Sequence, residues 1–70
     1  MVPLLSARAG ETVLIRKITG KDEVRQHLAE LGFTVNTMVT VVSDLGGNMI
    51  LEVKDSRVAL GREMAMRIMY

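Results

Sequence analysis

The sequence predicts a mainly β fold: a small barrel of about five short antiparallel strands with one helix inserted after the first. Three observations predict it. β-Branched runs without proline alternate with tight turn signals along most of the chain. One stretch alone, Asp22–Phe33, carries apolar residues at helical spacing. The chain has 70 residues and no cysteine, enough for one modest core within a single domain spanning 1–70. Closing the strands into a barrel would also remove the exposed edges that recruit other chains.

The elements follow in order. Met1–Gly10 is a lead-in whose Leu4 and Leu5 cover one end of the core, and Ala9-Gly10-Glu11 is a turn. Thr12–Ile18 is the first strand. Its alternation is clean at Val13, Ile15 and Lys17 and disturbed at Ile18, which predicts a bulge near Arg16-Lys17. In the helix, Val24, Leu28 and Leu31 fall at i, i+4 and i+7 on one face. Asp22 and Glu23 complement the positive end of its dipole, and either Thr19 or Asp22 serves as its cap. Gly32 supplies the left-handed residue that stops it, and Phe33 folds back on Leu28 as the last residue of a Schellman motif. Leu28, Leu31, Gly32 and Phe33 are thus structural residues.

Thr34-Val35-Asn36-Thr37 is a turn with Asn36 at positive φ. Met38–Ser43 is the second strand, Asp44–Asn48 a glycine-rich turn, and Met49–Lys54 the third strand. Met49, Leu51 and Val53 share one face of that third strand. Asp55-Ser56 is a two-residue turn, Arg57–Leu60 a fourth strand, Gly61–Ala65 a single helical turn, and Met66–Tyr70 the fifth strand.

Composition narrows the function. Hydrophobic residues make up 49% of the chain and aromatics 3%, so the core is aliphatic. Six methionines suit gap-filling in a small core or a partner surface. The net charge is +1 with no run of like charge, so no nucleic-acid footprint or anionic-lipid patch stands out. No stretch approaches the roughly 18 apolar residues of a transmembrane helix, and the N-terminus lacks the pattern of a signal peptide. The expected compartment is the cytoplasm.

Particular residues carry a resemblance. Gly10, Val13 to Ile18, Gly20, the helix end Leu28-Ala29-Glu30-Leu31-Gly32-Phe33, Val39–Val42, Gly46-Gly47, Arg57-Val58-Ala59-Leu60, Glu63-Met64-Ala65 and Ile68 match, in order and spacing, a known pattern. The chain resembles the ferrous iron transport protein A (FeoA) family over nearly its whole length. The resemblance implies an SH3-like barrel, similar to the C-terminal domain of iron-dependent repressors. Two departures are visible: Val35-Asn36 stands where the family often has Pro-Gly, and Asn48 where it often has proline.

No catalytic constellation is legible. There is one histidine and no cysteine, no carboxylate dyad stands out, and Gly46-Gly47 lacks the lysine and following helix of a phosphate loop. The chain is therefore not expected to be an enzyme, and no cofactor or metal site is expected. His27 reads as a boundary residue paired with Glu23, and a metal would need more donors than the helix offers. Met64, Met66 and Met69 read as core and barrel-seam residues. Gln26, Ala29 and Glu30 form the outer helix face, either solvated or a docking surface, and Val35 is an exposed apolar residue in a turn. Arg57 and Arg62 are solvated charges or partner contacts.

The expected partner-binding set is Gln26, Glu30, Val35 and Arg57. By resemblance, the chain is a cytoplasmic accessory protein of bacterial ferrous iron uptake. Its partner is the cytosolic GTP-binding part of the transporter FeoB, with neither nucleic acid binding nor membrane insertion. A homo-oligomer is compatible with the sequence. The alternative is a regulatory module like the barrel of an iron-dependent repressor, disfavoured because no helix-turn-helix or basic face is present.

Overall fold

A computed structural model describes residues 1–70. A 3₁₀ turn at Leu4–Ser6 precedes β1 (Thr12–Leu14) and β2 (Lys17–Ile18). Helix α1 (Asp22–Glu30) follows, then β3 (Met38–Leu45), β4 (Asn48–Val53), β5 (Ser56–Gly61), the one-turn helix α2 (Arg62–Ala65) and β6 (Ile68–Met69). The four longer-range strands form an antiparallel sheet in the order β1-β3-β4-β5, and β2 pairs with β6 in a second sheet. The fold is the expected small SH3-like barrel, with six short strands.

The extra strand arises where one was expected over Thr12–Ile18. Val13 and Ile15 are buried and Ile18 is half-buried, a set that no strict two-residue period can turn inward. The chain resolves this by changing partners instead of bulging. Ile15 still bonds the β3 side: its N–H donates to the Thr37 carbonyl at 2.9 Å, and its carbonyl accepts from Asn36 N–H at 2.7 Å. One residue later, Arg16 N–H donates to the Met69 carbonyl of β6 at 2.8 Å. On the other side of β6 lies the N-terminal segment, where Val2 and Tyr70 exchange backbone bonds of 2.9 and 2.8 Å. The bulge is elsewhere, in β3 between Val41 and Ser43.

Both hairpins have two-residue loops. Gly46 and Gly47 turn at φ 64° and 115°. The β4–β5 loop is Lys54-Asp55, at φ 49° and 64°, rather than Asp55-Ser56. Two consecutive positive φ values match the twist of the flanking strands in a type I′ turn, and Ser56 pairs with Val53 as the first residue of β5. The glycine-rich turn is correspondingly shorter than Asp44–Asn48, and β6 is shorter than Met66–Tyr70.

Fourteen apolar residues form the core. Met49, Leu51 and Val53 supply the inner face of β4, and Val39 and Val41 that of β3. Phe33, the only phenylalanine, heads the fully buried side chains by volume. Leu4 and Ala7 are buried from the lead-in, whereas Leu5 is half-buried. Among the methionines only Met49 is buried. Met64 and Met69 are half-buried, and Met66 is 50% exposed, which corrects its placement in the core: it follows α2 and faces outward.

Helix α1 docks through Leu28, fully buried, with Val24 and Leu31 half-buried beside it. Its N-cap is Lys21, without a side-chain cap bond, so neither Thr19 nor Asp22 caps it. Asp22 instead lies in the first turn, where its charge meets the helix dipole and Arg25 at 3.5 Å. The C-terminus is a Schellman motif. Phe33 N–H donates to the Leu28 carbonyl at 2.9 Å, Gly32 N–H donates to the Ala29 carbonyl at 3.0 Å, and Gly32 sits at φ 106°. No helix is long and apolar enough to cross a membrane.

Candidate functional site

The break between β1 and β2, the outward face of α1 and the turn after it enclose one open cleft of about 580 Å³. Each wall has a local cause. The change of strand partner at Ile15-Arg16 exposes Arg16 and Lys17 on one side and leaves Ile18 half-buried at the base. The helical period then stacks Asp22, Arg25, Gln26 and Ala29 on the second wall.

The third wall is the Schellman end. Phe33, buried, anchors the turn from below, and Val35 stands at the rim with 51% of its surface exposed. This turn is held from three directions. Asn36 adopts φ 70° and its N–H donates to the Ile15 carbonyl. Thr37 N–H closes back on the Thr34 carbonyl at 3.2 Å, and the hydroxyls of Thr34 and Thr37 bond each other at 2.8 Å. Val35 is thus displayed by a fixed backbone.

The cleft is electrically one-sided. Arg16, Lys17 and Arg25 face a single carboxylate, Asp22, which is paired with Arg25. Arg16 and Lys17 have no carboxylate partner. The cleft therefore offers an apolar base and rim, from Ile18, Ala29 and Val35, beside unpaired positive charge. Chemically it is suited to hold an apolar side chain flanked by acidic groups.

Two of the four sequence-predicted partner residues come together here: Gln26 and Val35 line the same cleft. Glu30 is exposed at the end of α1 but does not line it. Arg57 lies apart on β5, with its guanidinium 3.9 Å from Glu52 of β4. Arg16, Lys17, Ile18 and Arg25 were missed. The signal for them was weak: a basic dipeptide where the alternation of β1 fails, and a cation one position from Gln26. Scattered in sequence, these charges line one cleft only in the folded chain.

His27 is exposed and forms no ion pair with Glu23. No group of three or more His, Cys, Asp or Glu side chains is placed to hold a metal ion.

A solved FeoA, described as an iron uptake regulatory protein, is 30% identical and superposes with a TM-score of 0.89 over 96% of this chain and 89% of its own. FeoA of Stenotrophomonas maltophilia, solved with zinc and described as a prokaryotic SH3 domain protein, is 23% identical with a TM-score of 0.82, over 99% and 88% of the two chains. A manganese-dependent transcriptional repressor shares the fold over 94% of this chain but 38% of its own, at 20% identity and a TM-score of 0.85. Among curated proteins, a candidate Fe(2+) transport protein A of Methanocaldococcus jannaschii is 35% identical over 69 residues, 99% of this chain and 84% of that one. The FeoA domain family model matches residues 2–70, and with these relatives it shows that the chain belongs to the FeoA domain family.

Proposed function

We propose that this chain is a non-enzymatic cytoplasmic adaptor of ferrous iron uptake, and that its cleft docks the cytosolic GTP-binding part of a FeoB-type transporter. The observation that carries the reading is the preformed cleft in which half-exposed Val35 stands beside unpaired Arg16 and Lys17. An apolar residue held out by a fixed turn loses little entropy on binding. The adjacent charges steer an acidic surface toward it and set orientation. Membership of a family whose relatives carry Fe(2+) transport names supports the direction of the assignment. A module seated on a GTPase loop can order or release it, which gives a physical path from contact to regulation.

Calorimetric titration of the transporter's cytosolic domain with the parent chain and with Val35→Asp tests this. Saturable binding by the parent, weakened about tenfold or more by the substitution, is the expected result, because a carboxylate buried in place of an apolar contact costs on this scale. Equal binding by both removes the cleft as the docking site. No binding by the parent removes the adaptor assignment.

A further inference from the structure

The barrel leaves one long strand edge open. β5 is regularly paired with β4 from Asn48↔Gly61 to Val53↔Ser56, without a bulge. Its substantial contacts are with β4 and with the α2 turn that follows it. In a hairpin closed by a two-residue loop, Val53 and Ser56 exchange both backbone bonds, and such pairs recur at every second residue. Val58 and Leu60 therefore also bond toward β4, and the backbone groups of Arg57, Ala59 and Gly61 point away from it. None of these three takes part in any backbone bond of the turns, loops or caps. All three residues are exposed. Natural edges are commonly blunted by bulges, proline or several charges; β5 has one arginine.

We propose that this edge pairs with the same edge of a second copy of the chain, β5 antiparallel to β5, with Ala59 on the two-fold axis. Strand geometry selects the register. Directly opposed residues in a bonded pair must both point outward, so Arg57, Ala59 and Gly61 can oppose only one another. Centring on Ala59 engages all three on both copies and sets Arg57 opposite Gly61 of the second copy. The arginine then meets a residue without a side chain, and the two arginines stand about four residues apart along the ladder. Centring on Arg57 would oppose like charges directly. On the inner side the same register sets Val58, half-buried, opposite Leu60 of the second copy. The register lets Ala59 bond Ala59 of the second copy twice and brings Gly61 N–H to the Arg57 carbonyl on each side, about four bonds across the axis. The interface is isologous and closed, so it stops at two copies. The edge is separate from the cleft, and the pairing is independent of the docking reading.

The absence of native cysteine makes the register directly readable. Opposed residues in a bonded pair have Cα atoms about 5.5 Å apart, within disulfide reach. Ala59→Cys is expected to cross-link into a covalent dimer under mild oxidation at least about tenfold faster than Arg57→Cys, whose copies lie beyond that reach. Sedimentation of the parent is expected to rise from 7.7 kDa toward twice that mass as concentration approaches about 1 mM. Ala59→Glu, which opposes two carboxylates across the axis, is expected to abolish the rise. Ala59→Pro should abolish it as well, since it removes only an outward N–H, the position where an edge strand tolerates proline. A parent that stays at 7.7 kDa, equal cross-linking of the two cysteine variants, or an Ala59→Glu variant that associates like the parent would each overturn the pairing.

Discussion

Replacing Gly32 by alanine probes the joint that sets the angle between α1 and the Val35 turn. The cost can be worked from the structure. A Cβ built on Gly32 would lie 3.4 Å from Val53 Cγ1 and 3.7 Å from Cγ2, which is ordinary contact, so crowding contributes little. The strain lies in the backbone. Gly32 holds φ 106°, well inside the region that side chains resist, and a non-glycine residue there costs about 1–2 kcal/mol. For a domain of this size about 1 kcal/mol lowers the melting temperature by roughly 4–8 °C, so Gly32→Ala should melt about 5–15 °C below the parent. Gly32→Val should fall further, since a β-branched side chain adds restriction at χ1. Gly61→Ala is the matched control. Gly61 sits at φ −68° with Asn48 Oδ1 at 3.9 Å from an added Cβ, a geometry in which alanine is neutral or stabilising by about 0.4–1 kcal/mol. Thermal unfolding followed by circular dichroism reads both. If the two alanine variants melt at the same temperature, the left-handed cap is not what stops the helix, and the reasoning fails.

Three further outcomes follow from the same structure. Phe33→Ala should destabilise by about 3–5 kcal/mol, because it empties the largest fully buried site; urea denaturation with an unchanged m-value would show this, and a loss under about 1 kcal/mol would mean the core closes over the gap. Glu30→Arg should leave stability within about 0.5 kcal/mol and lower affinity for the transporter's cytosolic domain less than Val35→Asp does, since Glu30 is exposed outside the cleft lining; a larger loss than at Val35 would move the docking surface to the helix end. Anaerobic calorimetric titration with ferrous iron should show no saturable stoichiometric site. A micromolar site lost in His27→Ala would contradict that and identify a ligand.

The parts of the fold that were legible in sequence are those decided by local chemistry. Gly32 and Asn36 were readable because positive φ narrows the choice of residue, and both sit where the helix end and turn require it. Met49, Leu51 and Val53 were readable because a strand with one buried face must alternate. The errors share the opposite cause. The β1–β2 break depends on Met69 and Thr37 offering different partners to adjacent residues, which no window around Arg16 contains. The β4–β5 loop lies one residue earlier than expected: Lys54 and Asp55 take its two positive φ values, which the preference of Lys54 does not signal. The missing His27–Glu23 pair shows how little an exposed pair at i, i+4 stabilises. Of the cleft lining, Gln26 and Val35 followed from the helix and its turn. The basic wall did not, because Arg16 and Lys17 join Arg25 in one cleft only in the folded chain.

The central claim, that the cleft is the docking surface, is tested most directly by amide chemical-shift mapping of the isotope-labelled chain during titration with the unlabelled cytosolic domain of the transporter. The account predicts shifts confined to Arg16–Ile18, Arg25–Ala29 and Thr34–Val35, with the β3–β4 hairpin at Gly46-Gly47 unmoved. Shifts centred on that hairpin or on the exposed edge of β5, with the cleft unperturbed, would contradict it.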